Sequence, residues 1–299
     1  MSYTFDYPYC EFPFDEWNPV QELCLPHFER DCNLVLAASV AAGKTAVAEA
    51  IMGYEISRAD DSKAVYVSPL KAIGSEKTGE WASHPTFGEF PQALLDGEHH
   101  PAPAELGAAR LVAATAEALA MALRRGDSWL AKAAVLVLDE AHLLGDPQRG
   151  PAAEAMLMEF AALNPAARLI LLSGTLPNVR ELAGWLKRLN GKPTAFIASP
   201  WRPTPLAKTV ETADTIRGEA DIVAGKAAGG GKTLCFVHSK TAGRLLVKEL
   251  KRRGIRAEFY SAALPQPRRE WLADSFRRAG KREPAVLVAT SALAMGVTL

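Results

Sequence analysis

Short apolar runs alternate with stretches of helical periodicity along most of this chain. In the first two thirds, the predicted strands lie at residues 34–38, 64–68, 110–114, 135–138 and 168–172. The predicted helices around them lie at 19–30, 43–58, 69–81, 115–125, 152–163 and 179–189. Strands that are apolar throughout are typical of a parallel sheet buried on both faces. The alternation therefore predicts an α/β fold, in which helices cover both sides of a doubly wound parallel sheet.

A proline-rich segment interrupts this alternation. The sequence S-P-W-R-P-T-P at 199–205 contains three prolines, which favour a stiff, extended connector. Beyond it, a second alternation has predicted helices at 216–227, 240–253 and 267–278 and strands at 233–237, 256–260 and 285–289. We therefore predict an N-terminal domain over 1–198, a linker over 199–208 and a second α/β domain over 209–299. The lead-in, 1–32, begins with 20 aromatic- and proline-rich residues that are expected to be ordered but irregular.

The residues between the first predicted strand and the following helix resemble a phosphate-binding loop. The sequence A-S-V-A-A-G-K-T at 38–45 has the form A-x-x-x-x-G-K-T. Backbone N–H groups in such a turn and at a helix N-terminus bind phosphate oxygens. We expect ATP to contact the whole loop, which consists of Ala38, Ser39, Val40, Ala41, Ala42, Gly43, Lys44 and Thr45. Lys44 would place its charge on the β- and γ-phosphates and assist catalysis, and the Thr45 hydroxyl would bind Mg²⁺.

An acidic pair follows another predicted strand, in the sequence D-E-A-H at 139–142. Ligands of open α/β sheets lie beyond the carboxyl ends of the strands, so this pair can face the phosphate loop. We expect Asp139 to hold Mg²⁺ through water and Glu140 to be the general base that orients and deprotonates the attacking water. The two ring nitrogens of His142 allow this side chain to bridge Glu140 to another loop and so to sense the nucleotide.

Composition and charge place few further limits on function. Of the 299 residues, 48% are hydrophobic and 23% charged, which is ordinary for a globular protein of about two domains. The N-terminus does not resemble a signal peptide and no apolar run has the length of a membrane span, so we expect a cytoplasmic or nucleoid-associated protein that is not secreted. The four cysteines lack the spacing of metal ligands and are expected to be reduced thiols.

The net charge of zero is unevenly distributed. Residues 240–299 carry 13 Lys/Arg against 5 Asp/Glu, a net charge of +8. Such a segment suits a nucleic-acid backbone and equally suits solvated helix faces, so charge alone does not decide the function.

The motifs taken together resemble those of superfamily 2 helicases with a DEAH box, and within them the Ski-like branch. Residues 38–45 resemble motif I and residues 139–142 motif II. The other similar segments are the adenine-reading Q motif at 18–21, motif Ia at 67–77, motif Ib at 114–117, motif III at 173–178, motif IV at 236–239 and motif V at 288–297. Segments 142–154 and 201–206 are most similar to the archaeal-type DNA repair helicases of that branch.

This resemblance implies two RecA-like domains that close on ATP and step along one nucleic-acid strand. It implies that Gln21 contacts the adenine and that four residues lie near the nucleic-acid backbone: Pro69, Lys71, Thr115 and Thr290. It also implies that four residues couple hydrolysis to strand movement: His142, Ser173, Thr175 and Gly296. The expected protein is an ATP-dependent helicase or translocase motor that moves 3′-to-5′ on single-stranded DNA in repair or recombination. Two alternatives stay open, an RNA helicase of the same branch and a nucleotide-binding interaction module without catalysis.

The chain departs from the family pattern in three places. Ala41 stands in motif I where glycine is common, so the backbone of this turn is expected to have fewer accessible conformations. Gly174 replaces the usual alanine of motif III. Motif VI, whose arginine stabilises charge on the transferring phosphate, is not found before the sequence ends at Leu299. We expect a truncated chain with an incomplete second domain that binds ATP–Mg²⁺ but hydrolyses it poorly, unless a missing C-terminal portion or another chain supplies that arginine.

Overall fold

The computed structural model describes residues 5–69, 71–230, 232–279 and 285–290. The chain divides into two compact units, Met1–Pro205 and Leu206–Leu299. The division falls inside the predicted linker, 199–208. Within the described residues, no helix is both long enough and apolar enough to cross a lipid bilayer.

The lead-in forms an antiparallel hairpin before the first helix. Its strands are β1 (Phe5–Tyr7) and β2 (Cys10–Phe12). The buried Phe12 ring stacks on Phe14 with the centroids 5.1 Å apart, and it meets Trp17 edge-on at 4.9 Å. The prediction of an irregular lead-in was therefore wrong for residues 5–12, whereas residues 13–18 form no helix or strand, as predicted. Its aromatic residues pack mainly on one another, so they leave no simple period in the sequence.

The first unit contains a seven-stranded sheet in which all pairs are parallel. Its strands are β3 (Asn33–Ala38), β4 (Lys63–Val67), β5 (Gln92–Leu95), β6 (Leu111–Ala114), β7 (Ala133–Leu138), β8 (Arg168–Ser173) and β9 (Thr194–Ser199). The order across the sheet is β5–β6–β4–β7–β8–β3–β9. The five inner strands are those that the apolar runs predict. The edge strands β5 and β9 are missing from the prediction. Both are only partly buried, and β9 was missed although it contains the apolar run 195–198.

Helices cover both faces of this sheet. They are α1 (Pro19–Cys24), α2 (Lys44–Ser57), α3 (Lys71–Ala82), α4 (Pro103–Ala108), α5 (Ala116–Arg125), α6 (Gly150–Leu163) and α7 (Val179–Asn190). Alternate residues of β8 face opposite ways: Leu169 and Leu171 pack with α5, α6 and α7, whereas Ile170 and Leu172 pack with α1 and α2. The predicted doubly wound α/β fold is confirmed for this unit.

The parallel register brings the ends of the central strands to one edge of the sheet. Val67 of β4 pairs with Leu138 of β7, and Ala37 of β3 pairs with Ser173 of β8. The residues that follow β3, β4, β7 and β8 therefore emerge side by side. In an open parallel sheet this edge is where ligands bind.

The second unit is a smaller parallel sheet with helices. Its strands are β10 (Lys232–Phe236), β11 (Arg256–Tyr260) and β12 (Ala285–Ala289), in the order β10–β12–β11. Its helices are α8 (Ile216–Ala228), α9 (Lys240–Arg252) and α10 (Gln266–Arg278). Leu246 and Leu250 of α9 share one apolar core with Val286 and Val288 of β12. The second strand–helix alternation predicted from the sequence is thus present in this unit.

Arg168 is a buried cation that joins three parts of the first unit. It begins β8 with only 1% of its surface exposed. Its Nη1 donates to Glu55 Oε1 of α2 at 3.0 Å and to the Phe28 carbonyl at 2.7 Å. Its Nε donates to the Cys32 carbonyl at 2.8 Å and its Nη2 to the His27 carbonyl at 2.7 Å. The guanidinium therefore fixes the segment that leads into β3.

Replacing Arg168 by alanine should lower the free energy of unfolding of the first unit by about 3–5 kcal/mol, because the buried Glu55 carboxylate would lose its buried cation and keep only the solvent-exposed Arg58 as a partner. Arg58→Ala is the matched control, since Arg58 also pairs with Glu55, at 3.2 Å, but from a side chain that is 54% exposed. Its cost should be about 0–1 kcal/mol. Denaturant unfolding followed by tryptophan fluorescence measures both, as five of the six tryptophans lie in this unit. Equal costs for the two substitutions would contradict the assigned role.

Candidate active site

The predicted phosphate loop forms a tight turn between β3 and α2. Two of its residues have left-handed backbones, Ala41 with φ 62° and Gly43 with φ 74°. Gly43 is the N-cap of α2 and supplies no side-chain hydrogen bond to the first turn of the helix. The N–H groups at the start of α2 can therefore donate hydrogen bonds to an anion, and the helix dipole adds a positive potential there.

Residues of α1 brace this loop from behind. Asn18 caps α1, and its Nδ2 donates to the Ala42 carbonyl at 3.2 Å. The buried Gln21 carboxamide donates from Nε2 to the Gly43 carbonyl at 3.4 Å, and its Oε1 accepts from the Asn18 backbone N–H at 3.0 Å. A Cβ added at Gly43 would lie 2.3 Å from Gln21 Nε2. The structure therefore places Gln21 against the loop, and its contact with adenine stays a prediction.

Lys44 is held inside the loop and close to the acidic pair. Its Nζ donates to the carbonyls of Ala38 and Ser39, both at 3.0 Å. Partial burial lowers the pKa of Lys44, and the nearby carboxylates of Glu140 and Asp139 oppose this shift. The ammonium group thus has the position and the charge to meet phosphate oxygens that enter the loop.

Asp139 is fixed by donors on both carboxylate oxygens. Its Oδ1 accepts from the Glu140 backbone N–H at 2.8 Å, and its Oδ2 accepts from the Tyr66 hydroxyl at 2.6 Å. Burial, and then the charge of Asp139, raise the pKa of Tyr66 well above its ordinary value, so the hydroxyl stays protonated and is the donor. Glu140 has a left-handed backbone with φ 50°, which is uncommon outside glycine. Such strained residues cluster at functional sites.

The donor set fits a magnesium ion that is shared with a nucleotide. Among the described residues, no group of three or more His, Cys, Asp or Glu side chains could hold a metal by itself. Mg²⁺ does not require one, because it is usually bound by one or two carboxylates together with phosphate oxygens and water. Asp139 offers a carboxylate at the end of β7, and Thr45 offers a hydroxyl at the start of α2.

His142 lies between the acidic pair and the loop after β8. Its Nδ1 is 3.2 Å from Glu140 Oε2 and also 3.2 Å from Ser173 Oγ. The buried Ser173 hydroxyl in turn lies 3.3 Å from the Thr175 carbonyl and 3.3 Å from the Thr175 N–H. Three of the four predicted coupling residues are therefore in one hydrogen-bonded row. The fourth, Gly296, lies outside the described residues.

The predicted nucleic-acid residues are divided between the two units. Thr115 is nearly buried, and its hydroxyl caps α5 by accepting from the Ala118 N–H at 3.3 Å. Thr290 belongs to the second unit, where its N–H donates to the Tyr260 carbonyl at 3.3 Å. Lys71 begins α3, and its side chain lies outside the described residues. A contact of these residues with nucleic acid stays a prediction.

Sequence reasoning placed Arg149 in the similar segment 142–154 but gave it no role, whereas in the structure this residue joins motifs Ia and Ib. Its Nη2 donates to the Pro69 carbonyl, and its guanidinium lies 3.4 Å from Glu117 Oε1. Sequence reasoning missed Tyr66, the donor to Asp139. The signal for Tyr66 was a single hydroxyl among the apolar residues of a buried strand, but only the register of β4 and β7 shows which group it reaches.

Two families match this chain. The family described as DEAD/DEAH box helicase matches residues 18–182, more than half of the chain, and the helicase conserved C-terminal domain matches residues 216–299. The ATP-dependent DNA helicase Hel308 of Methanocella arvoryzae is 35% identical over 182 residues, which are 60% of this chain and 24% of that helicase. The Hel308 of Thermoplasma volcanium is 26% identical over 315 residues, covering 93% of this chain and 45% of that helicase. This chain thus spans less than half of the length of these relatives.

The fold also matches a solved structure. S. cerevisiae Dbp5, in a complex with Gle1 and IP6, has a TM-score of 0.66 and 20% sequence identity. The match covers 96% of this chain and 72% of that chain. At this identity the likeness shows the fold alone, and it confirms the prediction of RecA-like α/β domains.

Substituting Ala41 by glycine should stabilise the first unit. A left-handed backbone costs a residue with a Cβ roughly 1–2 kcal/mol, while the extra freedom of glycine in the unfolded chain costs about 0.4–1 kcal/mol. The net gain in unfolding free energy should be about 0.5–1 kcal/mol, measured by denaturant titration. Ala42→Gly is the control, because Ala42 is fully buried and its φ is not positive. It should destabilise the unit, and a similar loss at Ala41 would contradict the assignment of strain.

Proposed function

Because this chain belongs to the DEAD/DEAH box helicase family, we propose that it is the motor core of an ATP-dependent helicase or translocase. The proposed track is single-stranded DNA, which the similarity to Hel308 DNA helicases supports. One observation carries the proposal: the phosphate loop, the acidic pair and the His142–Ser173 contact all lie at the same edge of the sheet.

In the proposed mechanism, ATP enters with its phosphates at the start of α2. The N–H groups of the loop and the Lys44 ammonium bind the β- and γ-phosphates. The Thr45 hydroxyl and the Asp139 carboxylate would hold Mg²⁺, which would neutralise charge on the phosphates. Glu140 accepts a proton from the attacking water and orients it toward the γ-phosphorus.

Hydrolysis is coupled to the nucleic acid through the hydrogen-bonded row formed by His142, Ser173 and Thr175. A change in the charge or position of Glu140 alters its contact with Nδ1 of His142. The same Nδ1 also contacts the Ser173 hydroxyl. Ser173 contacts the backbone of Thr175, so the loop after β8 can move with the state of the nucleotide. Pro69, Lys71, Thr115 and Thr290 are the proposed contacts to the nucleic-acid backbone, which would position the strand without reading its sequence.

The direction and cellular role complete the proposal. We propose 3′-to-5′ movement in DNA repair or recombination, which the motif similarity of 142–154 and 201–206 supports. A cytoplasmic location fits the four free cysteines, none of which lies in a disulfide.

Lys44→Ala and Glu140→Gln should separate nucleotide binding from hydrolysis. Lys44→Ala should abolish binding of a fluorescent ATP analogue, because the phosphates lose their cation. Glu140→Gln should bind the analogue but release phosphate about 10²–10⁴ times more slowly, because the general base is lost. Lys192→Ala is the control for loss of a lysine, since Lys192 pairs with Asp31 instead.

The same phosphate-release assay identifies the track. Single-stranded DNA should stimulate hydrolysis by the unsubstituted chain and single-stranded RNA should not. Stimulation by RNA alone would assign the motor to RNA. A chain that binds no ATP analogue would contradict the proposed function as a whole.

His142→Ala should lower the factor by which single-stranded DNA stimulates hydrolysis, because it removes the link between Glu140 and Ser173. Ser173→Ala should lower the same factor. The measurement is the ratio of phosphate-release rates with and without DNA. His99→Ala is the control, since His99 pairs with Asp96 at 3.1 Å, on the turn that follows β5. An unchanged ratio in both His142→Ala and Ser173→Ala would exclude this coupling route.

A further inference from the structure

The register of two neighbouring strands brings a tyrosine to the acidic pair. Tyr66 of β4 pairs with Val137 of β7, and the next pair is Val67 with Leu138. Side chains alternate between the two faces of a sheet, so Tyr66, Val137 and Asp139 lie on the same face. Asp139 is one step diagonal to Tyr66 on the neighbouring strand. A long side chain can span that step, and the Tyr66 hydroxyl does so.

Packing leaves the Tyr66 ring little freedom to turn elsewhere. The ring is fully buried in the core that α2 covers. The Trp81 ring meets it edge-on, with the centroids 5.9 Å apart and the planes at 84°. Trp81 is itself held, because its Nε1 donates to Glu49 Oε1 of α2 at 3.3 Å. The hydroxyl is therefore presented to Asp139 by a rigid support.

The two donors leave Asp139 able to bind a further positive group. Each carboxylate oxygen has two lone pairs. Oδ1 uses one for the Glu140 N–H and Oδ2 uses one for the Tyr66 hydroxyl, so each oxygen keeps a lone pair free of these two bonds. The donors also fix the plane of the carboxylate. A hydrogen-bonded second layer of this kind sets the orientation of metal-binding side chains.

We propose that Tyr66 is a positioning residue for the metal-bound nucleotide, acting through Asp139. Its hydroxyl holds the carboxylate in the orientation that receives the Mg²⁺ brought by ATP. The inference rests on the proposed function, which assigns Asp139 to the metal. It adds a residue that lies outside all the recognised motif segments, one residue before the segment 67–77.

Tyr66→Phe isolates the hydroxyl, since the phenyl ring can keep its edge-on contact with Trp81. Loss of an orienting group behind a metal ligand lowers metal affinity by about 10-fold to 100-fold. The affinity for nucleotide without metal should not change, because the Tyr66 hydroxyl bonds Asp139 and not the phosphate loop. This separation distinguishes positioning from general damage to the fold.

Tyr7→Phe is the matched control. It also removes a tyrosine hydroxyl that donates to a carboxylate, because Tyr7 bonds Glu29 Oε1 at 3.2 Å. Tyr7 lies on β1, and neither Tyr7 nor Glu29 belongs to the phosphate loop or to the acidic pair. Asp139→Asn serves as the positive control for loss of metal binding.

The experiment titrates Mg²⁺ into the 299-residue chain and follows binding of a fluorescent ATP analogue, with a parallel series in EDTA. Mn²⁺, counted by electron paramagnetic resonance in the presence of the analogue, gives a second measure of metal affinity. In Tyr66→Phe, the metal concentration for half-maximal effect should rise about 10-fold to 100-fold, with EDTA binding and melting temperature unchanged. Tyr7→Phe should match the unsubstituted chain in every measurement.

Two results would overturn the inference. One is an unchanged metal affinity in Tyr66→Phe, and the other is an equal loss of binding with and without metal, which would mean that the hydroxyl only supports the fold. Failure of the proposed function has a different signature. In that case the unsubstituted chain itself would bind no analogue, or would bind it without any dependence on Mg²⁺ or Lys44.

Discussion

Parallel pairing of the central strands is the constraint on which the site depends. Residues that are far apart in sequence meet because β3, β4, β7 and β8 run in the same direction and end at one edge. A one-residue slip between β4 and β7 would turn Tyr66 to the opposite face from Asp139. The continuous burial of these strands on both faces opposes such a slip, because every step would leave a mismatch with the helices on each side. The apolar core therefore sets the geometry of the polar edge.

In the seven-stranded sheet, the strands that are buried on both faces were predicted from the sequence, and the strands that are partly exposed were not. The five inner strands are built on apolar runs, so the pattern of apolar residues locates them within a residue or two. The edge strands β5 and β9 and the hairpin β1–β2 were not predicted. β5 and β9 are only partly buried, and β1 and β2 have only three residues each. Arg168 looked like an ordinary strand-start residue. Its burial against Glu55 and three carbonyls is visible only once the chain is folded.

The candidate site divides in a similar way. The phosphate loop and the D-E-A-H segment are each continuous in sequence, so residue spacing alone was enough to predict the chemistry of each. The concern about Ala41 was also well founded, since its φ is 62°. Tyr66 and the contacts of Arg149 could not be found in this way, because each side chain acts on a residue of a different strand or loop. Thr115, by contrast, was predicted from the sequence to contact nucleic acid, but in the structure its hydroxyl caps α5.

The close approach of Gln21 to Gly43 has a consequence for how this protein can vary. The space that a Cβ at position 43 would need is already filled by the carboxamide of residue 21. Any side chain at position 43 must displace that group, and with it the brace between α1 and the loop. Changes at the two positions are therefore not independent, and their effects on stability should not add. A side chain at position 43 would need both a left-handed backbone and a smaller residue at position 21, whereas a smaller residue at position 21 leaves Gly43 free of any clash.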